Sequence, residues 1–374
     1  MCCLRVVPTK TVAAVLFAFS TLNTLAQTDA VWLALRSDDR AGTGTRGDPF
    51  NGNTAERLDV LLRAILPRTR IHFGAGTFIT RGIQAKDGWR ISGLGKDRTI
   101  IKLADGTAVG GEGTNYAIIS KYFDGVWLKY FELRNLTLDC NREKQPVFFN
   151  HKKGCALSAY LVSAKNAKVA DVRVRGTWAD PGEGFPCMIA HDGSSGNEDR
   201  IEISDVENLN PLGYLTAISV LDQHGGSVSG FIRNCLVTDH KDGSAFGSGG
   251  WRNFEVSHNR TRNVAIPIVI DTHDYRDVRI HHNRFRNCLG WAILCNGGGV
   301  YEGIKIFDNL FEMGPKAGPC VNSGNGRVEL DVRRNRIVQT GSAEPIVSKG
   351  PNTNATLRGN LVQRSRSDAA AQPK

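Results

Sequence analysis

Alternation of apolar and polar residues is the dominant pattern in the C-terminal part of the chain. From Gly230 onward a short segment recurs six times, and an asparagine marks each copy. An apolar residue lies three positions before each asparagine, a mostly apolar one lies two positions after it, and the positions between are polar. A pattern with period two predicts β-strands. The marking residues, spaced 25, 24, 26, 26 and 25 positions apart, are Asn234, Asn259, Asn283, Asn309, Asn335 and Asn360.

A strand pattern that recurs every ~25 residues, with no helical segment between copies, predicts the stacked coils of a parallel β-solenoid. Asparagine fits a corner of such a coil because it tolerates the left-handed backbone conformation and its amide can bond the asparagine of the next coil. A β-propeller or a β-sandwich is the alternative, but these folds need longer repeats or hairpin turn signals that the repeat lacks. The fold class predicted is therefore all-β, a single-stranded parallel β-helix.

The first 26 residues have the features of a secretory signal. Arg5 and Lys10 form a basic start, an apolar run covers 12–19, and Thr24-Leu25-Ala26 supplies a cleavage site. The apolar run is too short to span a bilayer. We therefore expect a secreted or periplasmic protein that has no membrane partner.

One amphipathic helix is predicted over residues 54–66. Leu58, Leu61, Leu62 and Ile65 share one face, and Asn53 precedes Glu56 by three residues as in a capping box. The first coil of a solenoid needs its open end covered, so this helix is the predicted cap. The predicted division is a signal peptide at 1–26, the cap and first coils at 27–110, the β-helix at 111–364 and a disordered tail at 365–374.

Three strings near the predicted helix resemble a known family. A loop with Gly47-Asp48-Pro49, the short helix, HFGAGTFIT at 72–80 and ISGLGKDRTII at 91–101 are similar to the N-terminal module of the pectate-lyase superfamily of right-handed β-helices, which includes polygalacturonase-like proteins. The resemblance implies a right-handed β-helix and a polysaccharide substrate. The fold also hosts hydrolases, epimerases, tailspikes and adhesins, so it does not define the reaction.

Charge and cysteine content narrow the expected partners. The 374-residue chain has a net charge of +10, which falls to +8 when the signal with its Arg5 and Lys10 is removed. A basic exported protein favours an acidic polysaccharide over nucleic acid, although ordinary surface charge is the alternative. Seven cysteines remain after the signal, and no CxxC pair points to zinc or redox chemistry. Cys295 and Cys320 occupy equivalent places in the repeat and are expected to form a disulfide or two stacked buried thiols.

A second strand in each repeat ends in a small polar residue about twelve positions before the asparagine. Because parallel strands stack ~4.8 Å apart, these residues are expected to form one row on one face. Carboxylates and imidazoles lie together in or beside this row at 191–192, 222–224, 239–242 and 271–274, although capping of turns by Asp and Asn is the alternative interpretation. The row contains Asp222, Gly247, Ser248, Asp271, Asn296, Asn322 and Ser348.

Two chemistries fit these residues. In glycoside hydrolysis Asp222 and Asp271, two coils or roughly 10 Å apart, would act as the carboxylate pair, since inverting enzymes hold the two groups about 6.5–9.5 Å apart. In β-elimination of a uronate, a base removes a proton while a cation neutralises the sugar carboxylate. The candidates for these two roles are His273, His224, Lys241, Arg252 and Arg276.

The string Asp271-Thr272-His273-Asp274 is similar to the DPHD motif of alginate C5-epimerases, which are also β-helices. That resemblance implies that His273 transfers the proton and that Asp271 and Asp274 support it. The chain departs from the motif at Thr272 and lacks its aromatic lead. It also lacks the Asn-Thr-Asp, Asp-Asp, Gly-His-Gly and Arg-Ile-Lys strings of polygalacturonases and the Arg-Pro pattern of pectate lyases.

Further substrate contacts are predicted at Trp251, which follows two glycines and could stack on a sugar or fill the core, and at Asp192 in a long loop over 192–199. Calcium is a candidate cofactor because it bridges carboxylates to uronates, but no ligand spacing demands it. The leading hypothesis is a carbohydrate-active enzyme that cleaves an acidic polysaccharide as a lyase or a glycoside hydrolase. A uronate C5-epimerase and a non-catalytic glycan-binding protein are the alternatives, and the oligomeric state is left open.

Overall fold

The computed structural model describes residues 29–109, 115–121, 126–150, 155–180, 186–191, 199–214, 216–222, 228–271, 273–340 and 345–365. The predicted signal peptide, the tail from residue 366, and the candidate residues Asp192 and His224 lie outside these ranges. The described helices are one α-helix at Ala55–Ala64, a single 3₁₀ turn at Arg142–Lys144 and a short α-helix at Pro146–Phe149. No helix among the described residues combines the length and the apolar character needed to cross a bilayer.

The described strands wind around three faces, and from Ile83–Gln84 onward each coil contributes a strand to each face. Face 1 contains Ile83–Gln84, Asn115–Lys121, the first part of Ala156–Arg175, Cys187–His191, Ile218–Asp222, Ser244–Ser248, Ile266–Asp271, Ile293–Asn296, Val321–Asn322 and Val347–Ser348, with Trp178–Ala179 at its side.

Face 2 and face 3 continue each coil in that order. Face 2 contains Ala30–Ala34, Arg70–Phe73, Arg90–Ser92, the first part of Leu128–Asp139, the middle of Ala156–Arg175, Arg200–Ser204, Val228–Arg233, Trp251–Ser257, Tyr275–Arg276, Arg279–His281, Val300–Phe307, Arg327–Arg333 and Thr353–Arg358. Face 3 contains Gly76–Thr80, Thr99–Leu103, the ends of Leu128–Asp139 and Ala156–Arg175, Glu207–Leu209, Leu236–Thr238, Arg260–Val264, Arg284–Cys288, Leu310–Met313, Arg336–Gln339 and Leu361–Arg364. The two-residue strand Phe50–Asn51 pairs with the end of Ala30–Ala34, the first strand of face 2.

Pairing between described strands is parallel, apart from one antiparallel contact of Ala156 and Leu157 with Trp178–Ala179. In-register stacks such as Ile280, Ile306 and Val332 alternate with outward polar residues, and all three are at most 1% exposed. Full burial of such a side chain contributes about 1.5–3 kcal/mol, so the repeated inward stack stabilises the coil. The predicted fold is confirmed: the chain is a right-handed parallel β-helix.

The corner between faces 2 and 3 is built on a ladder of buried asparagines. Asn309 accepts hydrogen bonds from the backbone and side-chain nitrogens of Asn283 (3.0 and 2.9 Å). It donates to the carbonyl oxygen of Ile280 (2.9 Å) and to Oδ1 of Asn335 (2.9 Å). The amide-to-amide bonds between coils are therefore as predicted.

The left-handed residue at this corner is the one before the ladder asparagine, such as His258 (φ 57°), His282 (φ 55°) and Asp308 (φ 56°). The prediction placed that conformation on the asparagine itself, which is wrong. Asn234 takes the left-handed position (φ 56°), and the next residue, Cys235, donates its backbone N–H to Oδ1 of Asn259. The first copy of the repeat is thus shifted by one residue.

The α-helix Ala55–Ala64 covers the N-terminal end, packing on Gly76–Thr80 and on Ile83–Gln84, the first strand of face 1. Its N-cap is Thr54, whose hydroxyl accepts the backbone N–H of Arg57 at 3.2 Å, rather than the predicted Asn53. Leu58 and Leu62 are buried beneath it, as the amphipathic pattern required. The capping helix is therefore confirmed, with a shorter extent.

All seven cysteines among the described residues are free and buried. Cys295 pairs with Ile270 of the preceding coil, whereas Cys320 lies just before Val321, which pairs with Ile293. The two residues are therefore not equivalent in register, so the stacking prediction is wrong. Burial raises the pKa of Cys295 to about 12, which keeps it a thiol.

Candidate functional site

At the corner between faces 1 and 2, the turn that follows strand Ile266–Asp271 carries two carboxylates and an imidazole. Strand Ile266–Asp271 ends at Asp271, which falls in phase with the outward, half-buried Val269. Asp271 lies in register with Asn296 of the next coil. His273 is half-buried and Asp274 is exposed. We name Asp271, His273 and Asp274 the catalytic-candidate corner.

Backbone and side-chain hydrogen bonds hold this corner in one shape. The backbone N–H of His273 donates to the carbonyl oxygen of Asp271 at 2.8 Å. The Tyr275 hydroxyl accepts the Asp271 N–H at 2.8 Å and donates to the Asp271 carbonyl at 3.1 Å. Burial raises the pKa of Tyr275 well above its usual range, so its hydroxyl remains a donor. Asp274 Oδ1 accepts the N–H of Val300 at 2.9 Å, which ties the turn to the next coil.

Glycines on the neighbouring coils make room for His273. A Cβ at Gly249 would lie 2.4 Å from the imidazole Nδ1 of His273, and a Cβ at Gly299 would lie 2.3 Å from its carbonyl oxygen. Any other residue at either position would displace the histidine. The imidazole therefore lies across a surface that the chain has left without side chains.

Asp222 is separated from this corner. It is fully buried and falls in phase with the inward Ile218 and Val220. Through Phe246, Ile218 aligns with the inward Ile268, so Asp222 and the outward Asp271 lie on opposite sides of face 1. The predicted single row is therefore wrong at Asp222. Relative to the sheet, strand Ile218–Asp222 continues one residue further than strand Ile266–Asp271, and this one residue reverses the side to which the last side chain points.

The rest of the predicted row divides between different registers of face 1. Gly247 pairs with Val269 and Asn322 pairs with Ser348, in the register that continues through Leu294. Ser248 is in register with Ile270, one residue further along the strands. Asp271 pairs with Asn296 one residue beyond that, and this is the register of the catalytic-candidate corner.

Asp222 instead lies in register with a histidine that the sequence placed beside Asp192. His191 is fully buried, and its Nε2 lies 3.6 Å from Oδ2 of Asp199. These residues form an internal polar group at the end of face 1 in the middle coils. No sequence pattern paired His191 with Asp222, because the spacing of the coils is irregular there.

Trp251 is a core residue. It is 0% exposed, its indole N–H donates to the carbonyl oxygen of Val220 at 2.9 Å, and its ring stacks on Phe254 with centroids 4.5 Å apart. The prediction that it stacks on a sugar is therefore wrong. Two glycines precede Trp251, and its side chain points from the start of the face 2 strand into the interior of the coil.

The predicted cations do not converge on the catalytic-candidate corner. Arg252 and Arg276 are exposed and in register on the outward side of face 2, where Arg276 Nε lies 3.4 Å from Glu302 Oε2. Exposed Lys241 precedes strand Ser244–Ser248, at the opposite end of face 1. A five-residue strand spans roughly 16 Å, which separates Lys241 from His273. Arg276, three residues after His273, is the predicted cation that lies closest to it along the chain.

Neither protein-family models nor the curated proteins match this sequence. Solved structures do match its fold. The surface adhesin PfbA of Streptococcus pneumoniae is 12% identical, with a TM-score of 0.52 over 89% of this chain and 91% of its own. The GH136 lacto-N-biosidase from Eubacterium ramulus is 9% identical, with a TM-score of 0.51 over 95% and 71%. ORF18 of Geobacillus virus E2 is 14% identical, with a TM-score of 0.50 over 95% and 66%.

These neighbours define a class by architecture, the right-handed parallel β-helix. They comprise an adhesin, a glycosidase and a viral protein, so the shared fold does not select one activity. Any function has to be argued from the residues at the catalytic-candidate corner.

Proposed function

We propose that this protein acts on a uronate-containing polysaccharide by proton transfer at His273, as a lyase. The observation that carries the proposal is the placement of His273 at an outward corner, where its imidazole lies over Gly249 and where Asp271, two residues earlier, also points outward. A positioned imidazole is the commonest general base in enzymes. The Asp271-Thr272-His273-Asp274 string assigns the same residue to the same role through its resemblance to uronate epimerases.

Hydrolysis by Asp222 and Asp271 receives no support from the geometry. In a glycosidase both carboxyl groups of the enzyme must flank the scissile bond, one as acid and one as base or nucleophile. Asp222 points into the coil while Asp271 points out of it. Proton abstraction needs only one base at the corner, which makes it the better match.

In the proposed reaction His273 takes the proton from C5 of the uronate. The electron pair left at C5 forms a double bond to C4, the bond from C4 to the glycosidic oxygen breaks, and that oxygen takes up a proton. Arg276 lies three residues after His273 and 3.4 Å from Glu302, and it is the candidate nearest along the chain to neutralise the sugar carboxylate, which would acidify the C5 proton. Asp271 and Asp274 hold the turn, and calcium remains a candidate for the neutralising role.

The alternative favoured by the same motif is C5-epimerisation, in which the proton returns to the other side of C5 and the chain is not cleaved. The test incubates the full-length protein with polygalacturonate, alginate and an uncharged glucan, with and without calcium. Ultraviolet absorbance of the unsaturated product and reducing ends are followed together, and exchange of C5 hydrogen with deuterated water is measured by NMR.

A rise in both absorbance and reducing ends on an acidic substrate is the expected result. Deuterium exchange at C5 without cleavage would instead establish the epimerase. Reducing ends without absorbance would mean hydrolysis and would overturn the role of His273 as the C5 base. Silence in all three readouts would leave the protein as a glycan-binding β-helix.

A further inference from the structure

A second surface, distant from the catalytic-candidate corner, is built for anions. It lies on the outward side of face 2 in the first coils. One cleft of about 390 Å³ is bordered by Arg68, Arg70, Arg90 and Lys129, and an adjoining cleft of about 370 Å³ by Arg70, Arg90 and Arg134. We name these five cations the N-terminal cationic surface.

Most carboxylates beside this surface already serve other groups. Glu132 accepts the Tyr130 hydroxyl at 3.0 Å and lies 3.3 Å from Nε of Arg134. Asp87 Oδ1 accepts the backbone N–H of Lys129 at 2.6 Å. Asp29 is the remaining carboxylate at the first cleft. Five cations therefore face three carboxylates, and two of the three have fixed partners.

Arg70 is the central cation of this surface. It is in register with Arg90 of the next coil, so the two side chains leave adjacent strands, which lie ~4.8 Å apart. Among the described residues no carboxylate comes within ion-pair distance of the Arg70 or Arg68 guanidinium. Arg90 lies at 3.9 Å from Glu132, at the limit of an ion pair. Like charges on neighbouring strands destabilise a sheet, and at Arg70 no carboxylate among the described residues offsets this cost.

The next coils of the same row show what a balanced face looks like. Glu132 is followed in register by Lys168 and then by Glu202, and Lys168 Nζ lies 3.9 Å from Glu202 Oε2. Glu202 also lies 3.0 Å from Arg200 Nε. The charges of these three coils thus alternate in sign, whereas Arg70 and Arg90 follow one another without an intervening carboxylate. Two cations also follow one another further along the row, at Arg279 and Lys305.

Aromatic rings lie beside the cations. The Arg90 guanidinium lies over the Tyr130 ring, 5.2 Å from its centre. Partly exposed Trp32 stacks on His72 with centroids 4.9 Å apart, and His72 Nδ1 lies 2.9 Å from the Ser92 hydroxyl. Burial, together with Arg134 and Arg70, lowers the pKa of His72, so at neutral pH the imidazole is an uncharged polar group that lines the cleft. A flat ring beside paired guanidinium groups fits a sugar that bears an acidic group.

We propose that the N-terminal cationic surface binds an anionic polysaccharide chain, independently of the catalytic-candidate corner. Arg70 and Arg90 hold the carboxylate or sulfate groups through their planar forks, and Trp32 packs against a sugar ring. Binding here anchors the chain on face 2 without chemistry, so the proposal stands whether or not the corner turns over substrate.

The test compares two double variants of the full-length protein. Arg70→Ser with Arg90→Ser removes the central pair. Arg260→Ser with Arg284→Ser is the matched control, since it removes the same charge from two exposed arginines that are also in register on adjacent coils, but on face 3. Affinities for polygalacturonate, dextran sulfate, uncharged dextran and oligo-dT are measured by calorimetry at two salt concentrations.

We expect the Arg70 and Arg90 variant to bind one or both anionic glycans about tenfold more weakly or worse, while the control changes by less than about twofold. The ratio between polygalacturonate and dextran sulfate names the anionic group. Equal losses in both variants, no loss in either, or binding of uncharged dextran would overturn the proposal. Tighter binding of oligo-dT than of either glycan would reassign the surface to nucleic acid.

Lysine substitutions keep the test decisive if the serine variant unfolds. Arg70→Lys with Arg90→Lys preserves the charge and removes the fork, so it is expected to lose part of the affinity and keep the thermal unfolding temperature. Unchanged affinity in this variant would show that charge alone acts and would overturn the fork-based site. His273→Ala is expected to bind dextran sulfate as the wild type does, which separates this surface from the proposed function.

Discussion

The two corners that border face 2 follow opposite rules. At the corner with face 3, the coils from Asn259 to Asn360 carry an asparagine in the same place, and hydrogen bonds join the asparagines of successive coils. At the corner with face 1, Asp271, His273 and Asp274 occur in one coil, and the neighbouring coils contribute the glycines Gly249 and Gly299. Repetition thus marks the corner that stabilises the fold, and its interruption marks the corner to which we assign the proposed proton transfer. Substitutions at the two corners should therefore separate activity from stability.

The largest expected effect is the loss of activity in His273→Ala. Removal of a general base lowers turnover by about 10²–10⁴-fold, while the half-buried location of His273 at an outward corner leaves thermal unfolding nearly unchanged. His258→Ala is the control because His258 is an exposed histidine at the ladder corner. Activity is measured on the acidic polysaccharide identified above. Equal activity in the two variants would break the assignment of chemistry to the face 1 corner.

Asn309→Ala should have the largest effect on stability. It removes the acceptor for two nitrogens of Asn283 and the donor to Ile280, all in a buried setting. Orphaned buried groups of this kind cost about 2–4 kcal/mol in total. Urea unfolding measures the change in free energy.

Asn322→Ala serves as the comparison for that measurement. Asn322 is half-buried, and its side-chain oxygen accepts one hydrogen bond, from the N–H of Gly324 at 3.0 Å. We expect a loss below about 1 kcal/mol. Similar losses in both variants would contradict the claim that the ladder corner holds the fold.

Gly249→Ala should lower activity with a smaller change in stability. Its Cβ would lie 2.4 Å from Nδ1 of His273, so the imidazole has to move. Misplacement of a base by about 1 Å costs as much as 10²-fold in rate, and we expect roughly tenfold. Gly298→Ala is the matched control, since a Cβ there meets nothing within 4 Å. A fully active Gly249→Ala variant would show that the position of the His273 ring is not critical.

Acid should weaken the ladder corner slightly. Burial lowers the pKa of His281, Glu255 opposes this shift, and His282, His258 and Arg279 add to it. The folded state therefore binds fewer protons at this site than the unfolded chain, whose histidine pKa is about 6.5. This contribution to stability is complete above that pH and declines as the pH falls below it.

The measurement is the urea midpoint at pH 7.5 and at pH 5.5, for the wild type and for His281→Gln. The wild type should lose more of its midpoint on acidification than the variant does. An equal loss in the two proteins would assign the acid sensitivity to other groups.

Sequence alone predicted the features that repeat. The strands and the asparagine ladder follow from a period that five successive coils confirm, and Asp271, His273 and Asp274 lie in one turn because they fall within four residues of the sequence. The phase of an isolated strand end was not accessible in this way. A shift of one residue moves a side chain to the opposite face of a sheet, and this shift carried Asp222 into the interior and Asn234 out of the ladder.

Residues from distant coils were also missed. The N-terminal cationic surface joins Arg70, Arg90 and Arg134, which are 20 and 44 residues apart along the chain and lie in coils without the asparagine marker. Trp251 was misassigned because the two preceding glycines gave no sign of the direction in which its side chain would point. Register between irregular coils depends on the loops that join them, and the composition of those loops does not encode it.

The glycine beside the His273 ring joins two coils in one requirement. A Cβ at Gly249, on the preceding coil, would lie 2.4 Å from Nδ1 of the imidazole, and a Cβ at Gly299, on the following coil, would lie 2.3 Å from the His273 carbonyl oxygen. Histidines do fit on adjacent coils elsewhere, since the rings of His258 and His282 stack with centroids 5.1 Å apart. The position of the His273 ring therefore depends on the residue carried by the preceding coil, so a corner of this type would have to evolve through paired substitutions on two coils.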